Sequence, residues 1–201
     1  MIRYLQRFNA GTNYLNHTTR RHYQTKKNLI VSQERGSNDC TRASIATILN
    51  HTKNQAFADI GLVNKYLLER CETYRLDGID GLQPALESKA AYDLFLHYNL
   101  YARKLRYNHN MLLAYSAASE LEAALKGGMI LATCQPPGNS VLISHSVVIT
   151  DVFVDPITKQ ITYNVFDPYP RPDRDLYGIR RLSSHDVVKE KLTADIFVSS
   201  N

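Results

Sequence analysis

The sequence predicts an α+β fold, with an N-terminal helical subdomain packed on a C-terminal antiparallel β-sheet. Three observations carry that expectation. Before residue 128 the apolar residues recur mainly at helical spacing. After it they gather into short strand-like runs bounded by turn residues. The two kinds of run follow one another instead of alternating, which is the α+β pattern.

Residues 1–28 are polar and basic, rich in Asn, Thr and Tyr, and read as an irregular arm; residues 29–201 read as one domain. Leu29 to Ser32 is a short apolar step of strand character, and Gln33 to Asp39 (QERGSND) is a loop by composition. From Cys40 to His51, Ala43, Ile45, Ala46, Ile48 and Leu49 fall on one helical stripe, with Asn38 or Asp39 as the cap. Gly61 to Thr73 is a second helix, and Tyr74 to Gly81 a turn-rich link. Leu82 to Asn99, entered near Pro84, is a third helix; Ser119 to Lys126, stopped by Gly127-Gly128, is a fourth. Met129 to Cys134 reads as a strand and Pro136 to Asn139 as a loop. Val141 to Val154 is a strand whose antiparallel partner, Gln160 to Phe166, follows the turn at Asp155 to Thr158. Asp167-Pro168-Tyr169-Pro170 closes that hairpin. Arg180 to Leu182 and Asp195 to Val198 are further strands around a short helix from Ser184 to Lys191.

Composition narrows the function classes. Of 201 residues, 44% are apolar and 21% charged, enough for a core without disulfides. The net charge of +5 is uneven. Arg3, Arg7, Arg20, Arg21, Lys26, Lys27 and Arg35 face only Glu34 in the first 35 residues, and Arg103, Lys104 and Arg106 form a second basic group. Such groups are either a solvated surface or a patch for an acidic partner. No nucleic-acid motif accompanies them, so no nucleic-acid partner is expected. None of the three cysteines has zinc spacing, and no metal or organic cofactor is implied. The apolar-rich run at Val141 to Val154 holds Ser, His, Thr and Asp, so no membrane span is expected. The N-terminus has no signal-peptide pattern, which points to the cytoplasm or to secretion by a route independent of such a signal.

Cys40, at a helix N-terminus, is the natural nucleophile, because backbone N–H groups and the helix dipole favour a thiolate there. A second source of stabilisation is an imidazolium. Of seven histidines, only His145 stands inside an apolar strand (SHSVVIT). A polar ring in such a run is either a satisfied core histidine or a catalytic base. The base needs a carboxylate or amide to accept its Nδ1–H. Asp167 ends the partner strand, where the hairpin brings it beside His145; Asn164 is the alternative, on the opposite face of an unbroken strand. For an oxyanion the donors are the Cys40 N–H and an upstream side-chain amide, Gln33 or Asn38. Cys71 and Cys134 read as packing residues.

The run QERGSNDCTRASIATILNH resembles the start of papain-like cysteine peptidases of the bacteriocin-leader-processing kind, where a glutamine precedes an Asp-Cys pair opening a helix of small and aliphatic residues. LKGGMILATC resembles that family's strand before the catalytic histidine, SHSVVITDVFV its histidine strand, and Asp167-Pro168-Tyr169 its third-residue motif. The resemblance covers roughly residues 29–170. It implies a papain-like fold with Cys40 as nucleophile, His145 as base, Asp167 as orienter and Gln33 as oxyanion donor, acting on a protein or peptide substrate. Some relatives are injected effectors or toxins. Cys40-Thr41-Arg42 replaces the family's Cys-Gly-Pro, and Ser146 replaces a bulky residue after the histidine; both argue against simple leader processing. The same triad serves glutamine deamidases, transglutaminases and other acyl transferases, and the fold also occurs as a non-catalytic peptide-binding module.

Overall fold

The computed structural model describes residues 27–34, 39–73, 84–135, 144–169 and 178–201. Apart from Lys27 and Asn28, the basic arm lies outside the described residues, as do Asn38, Tyr74 to Gly81 and the Pro136 to Asn139 loop. Chain order runs α1 (Cys40–Lys53), α2 (Ile60–Thr73), α3 (Pro84–His97), β1 (Leu100–Tyr107), α4 (His109–Leu112), α5 (Tyr115–Ala124), β2 (Gly128–Cys134), β3 (His145–Val154), β4 (Ile161–Phe166), β5 (Ile179–Ser183), α6 (Ser184–Lys189) and β6 (Thr193–Ser200).

The class is α+β. Six strands form one antiparallel sheet in the order β1-β6-β2-β3-β4-β5. The expected hairpin is present: β3 and β4 pair from Val154↔Ile161 back to Val148↔Phe166. Consecutive residues in the central strands serve opposite faces. Leu131, Val148 and Phe166 pack with Ile45, Ile48 and Leu49 of α1 and with Leu94 and Phe95 of α3. Ile130, Val147, Ile149 and Val165 pack with Leu112, Leu121 and Val187 on the other side. A strand buried on both faces reads as an unbroken apolar run, which is why ILA and VVI show no alternation.

Helices cover both faces of the sheet, the short helices α4, α5 and α6 closing the second face. Two sequence expectations change here. Helices do not all precede strands: β1 lies between α3 and α4. It escapes pattern reading because it is an edge strand carrying Arg103, Lys104 and Arg106, and its register shifts between Lys104 and Tyr107. The bulge breaks the two-residue period. Finally, Leu29 to Ser32 is not a strand. Lys27–Leu29 is a 3₁₀ turn, and the Thr47 hydroxyl takes the place of a ladder by accepting the Val31 N–H at 3.0 Å and donating to the Val31 carbonyl at 3.3 Å.

Candidate active site

Helix α1 begins at Cys40 itself, so the sulfur is carried on the first residue of the helix, where the backbone N–H groups have no partner within it. Asp39 occupies the cap position, yet its side chain makes no capping bond. Its carboxylate instead accepts from the Arg42 guanidinium at 2.6 Å, while its carbonyl accepts the Ala43 N–H at 2.9 Å. Arg42 is thus paired within the first turn of α1.

His145 opens β3 and Asp167 follows β4, and the hairpin joins them: His145 Nε2 lies 2.7 Å from Asp167 Oδ1. The ring orientation corrects the sequence expectation, in which Nδ1 faced the carboxylate. With Nε2–H donating to Asp167, Nδ1 is left for the sulfur, and the side chains of Cys40 and His145 are hydrogen-bonded. Asp167 is 3% exposed, and its Oδ1 also accepts the Tyr169 N–H at 3.0 Å. Asn164, the alternative orienter, sits in register with Asp151 and Arg181.

The electrostatics follow from these contacts. Burial pushes the Cys40 thiol up, but the His145 hydrogen bond, the Ser146 N–H, the imidazolium charge and the Thr41 hydroxyl together hold it below its ordinary value. Burial works against charge on His145 as well. The Asp167 hydrogen bond, then the Cys40 contact, outweigh it and push the imidazole up to about 9. Opposite shifts on hydrogen-bonded partners favour passage of the thiol proton to the imidazole.

Ser146 is the hinge between helix and strand. Its N–H donates to the Cys40 sulfur, its hydroxyl pairs with Thr41 Oγ1 at 2.7 Å, and its carbonyl accepts from Ser44 Oγ at 3.3 Å. All three polar groups therefore face the N-terminal end of α1. Thr41 and Ser146 thus contact each other across the helix–strand junction.

Gln33 is buried, and its backbone N–H donates to the Pro168 carbonyl at 3.0 Å, which ties its loop to the corner behind Asp167. Cys134 is the cross-strand partner of His145 and is buried in the core as expected. The side chain of Cys71 lies outside the described residues. Arg180 and Glu190, which approach Asp167 from behind, were not legible: nothing in sequence spacing distinguishes them from surface charges. Among the described residues no cluster of His, Cys, Asp and Glu suits a metal ion, and no helix is long and apolar enough to cross a membrane. No protein-family model matches the chain, and no curated protein matches it.

Proposed function

We propose that the chain is a papain-like cysteine hydrolase that cleaves a peptide or amide bond through Cys40, His145 and Asp167. The observation that carries this reading is the unbroken hydrogen-bonded series from the sulfur through the imidazole to a buried carboxylate, with the thiol pulled down and the imidazole pushed up. A core histidine satisfied only by Asp167 would leave its second nitrogen without a thiol to activate. The papain-like assignment of the fold draws on the same layout: nucleophile at a helix head, base at the start of a sheet strand, orienter at the end of the next.

In the reaction the Cys40 thiolate adds to the substrate carbonyl carbon. The Cys40 N–H and the Gln33 amide stabilise the resulting oxyanion. The C–N bond breaks as protonated His145 gives its proton to the leaving amine, which leaves a thioester on Cys40. Neutral His145 then takes a proton from water, the hydroxide adds to the thioester, and the carboxylate product departs from the sulfur. Asp167 keeps the Nε2–H and so reserves Nδ1 for both transfers.

The test exposes a cellular protein mixture to the wild-type and Cys40→Ala chains and reads the products by mass spectrometry. New peptide termini that depend on Cys40 are expected. Glutamine deamidation or isopeptide cross-links would move the same triad to a different acceptor. Identical product patterns from both chains would remove the hydrolase reading.

A further inference from the structure

We propose that Arg180 and Glu190 form a buried charge pair that positions Asp167 and sets the protonation range of the Cys40–His145 pair. The proposal rests on the hydrolase reading above and deepens it.

Asp167 divides its two oxygens. Oδ1 serves His145 and the Tyr169 N–H, while Oδ2 lies 3.5 Å from Arg180 Nη1. Arg180 Nη2 in turn contacts Glu190 Oε1. The three side chains are almost fully covered: Arg180 is 12%, Asp167 2% and Glu190 4% exposed. Each member is anchored by backbone. Arg180 is the β5 partner of Val165, two residues before Asp167. The Asp167 N–H donates to the Gly178 carbonyl at 2.8 Å, and the Gln135 N–H donates to the Glu190 carbonyl at 2.6 Å. The result is one line of contacting groups: thiol, imidazole, carboxylate, guanidinium, carboxylate.

Each outer charge has a task. Asp167 and Glu190 without Arg180 would be two buried carboxylates with no cation between them, adding uncompensated negative charge behind the imidazole. Arg180 without Glu190 would be a lone cation competing with the imidazolium for Asp167. Together they hold Asp167 oriented without stripping His145 of its partner. Among the described residues, charged and titratable groups reach this point from several elements: Cys40 on α1, Cys134 on β2, His145 on β3, Arg180 on β5 and Glu190 after α6. Cys134 is pushed up to about 12 by burial and then by Glu190, so it carries no charge at working pH.

The experiment follows His145 by NMR in the full chain labelled at histidine nitrogen, across a pH series, for wild type, Glu190→Gln, Arg180→Gln and the double variant. Glu190→Gln should lower the His145 midpoint by about one pH unit, because an uncompensated guanidinium then faces Asp167. Arg180→Gln should move it the other way, and the double variant should return it towards wild type. A merely structural role would not produce opposite shifts that cancel. Each single variant reports by itself if the other does not fold. Equal midpoints in wild type and Glu190→Gln, or a double variant displaced as far as a single one, overturn the inference. An ordinary histidine midpoint in wild type, with slow alkylation of Cys40, would instead strike the hydrolase reading beneath it.

Discussion

Two cysteines flank His145, and their surroundings drive them apart. Cys134 is the closer in the fold's own terms, paired with His145 across β2 and β3. Cys40 arrives from a separate helix far back in the chain. Yet Cys134 is pushed up to about 12, by burial first and then by the charge of Glu190, whereas Cys40 is pulled below its ordinary value. Being paired with a histidine across two strands is therefore not activation. The difference lies in aimed donors: the Cys40 sulfur receives the His145 ring, the Ser146 N–H and the Thr41 hydroxyl, while Cys134 sits in an apolar core with carboxylates beyond it.

The largest test of this contrast is chemical. At neutral pH a thiol with a pKa of about 12 is thiolate roughly once in 10⁵ molecules. Site-resolved mass spectrometry after brief iodoacetamide treatment should find Cys40 modified and Cys134 intact. Equal slow labelling of both would erase the distinction.

Asp167→Ala attacks the same contrast through the base. Without the carboxylate, His145 loses the hydrogen bond that most raises it, and turnover should fall by about 100-fold or more. Wild-type activity should follow a bell in pH. The active pair needs the thiol deprotonated and the imidazole protonated. Activity therefore rises with pH through the lowered Cys40 value and falls as pH passes the His145 value of about 9. In Asp167→Ala the alkaline limb should move to lower pH, and an unmoved limb would show that Asp167 does not act through His145.

Gly178→Ala tests the corner behind the orienter. Gly178 has φ +68°, and a Cβ there would lie 2.6 Å from the Asp167 carbonyl oxygen. Thermal or denaturant unfolding should register a loss of about 1–3 kcal/mol, with activity reduced because Asp167 must shift. Thr41→Val is the mildest change. It keeps the shape but removes the hydroxyl shared by Ser146 and the sulfur. The Cys40 alkylation rate near neutral pH should drop about three- to tenfold, in line with one lost hydrogen bond, with no change at Cys134.

The sequence showed the parts of the site that obey local rules. A stripe of small and aliphatic residues after Cys40 announced a helix that starts where α1 starts. A polar ring in an apolar run and a carboxylate at the far end of a hairpin marked His145 and Asp167, which lie in contact. What stayed hidden depends on side-chain direction or on distant pairing. Which ring nitrogen meets Asp167 is decided by rotamer, and the Asp39 carboxylate had two local uses, capping or Arg42, that only geometry separates. Strand β1 was masked by its edge charges and bulge. Arg180 and Glu190 come together only once β5 and α6 fold against β4, so their spacing of ten residues carried no signal.

The sheet order also governs when the molecule can assemble. Strand β6, residues Thr193–Ser200, is inserted between β1 and β2, with Leu100 opposite Ser200 and Gly128 opposite Ser199. Until that stretch has been synthesised and threaded into place, β1 has no neighbour in the sheet, and part of the platform beneath the first helix is missing. Contacts spanning such long loops form late and slowly. The sheet that carries His145 on β3 is therefore complete only once the stretch from Thr193 to Ser200 has docked.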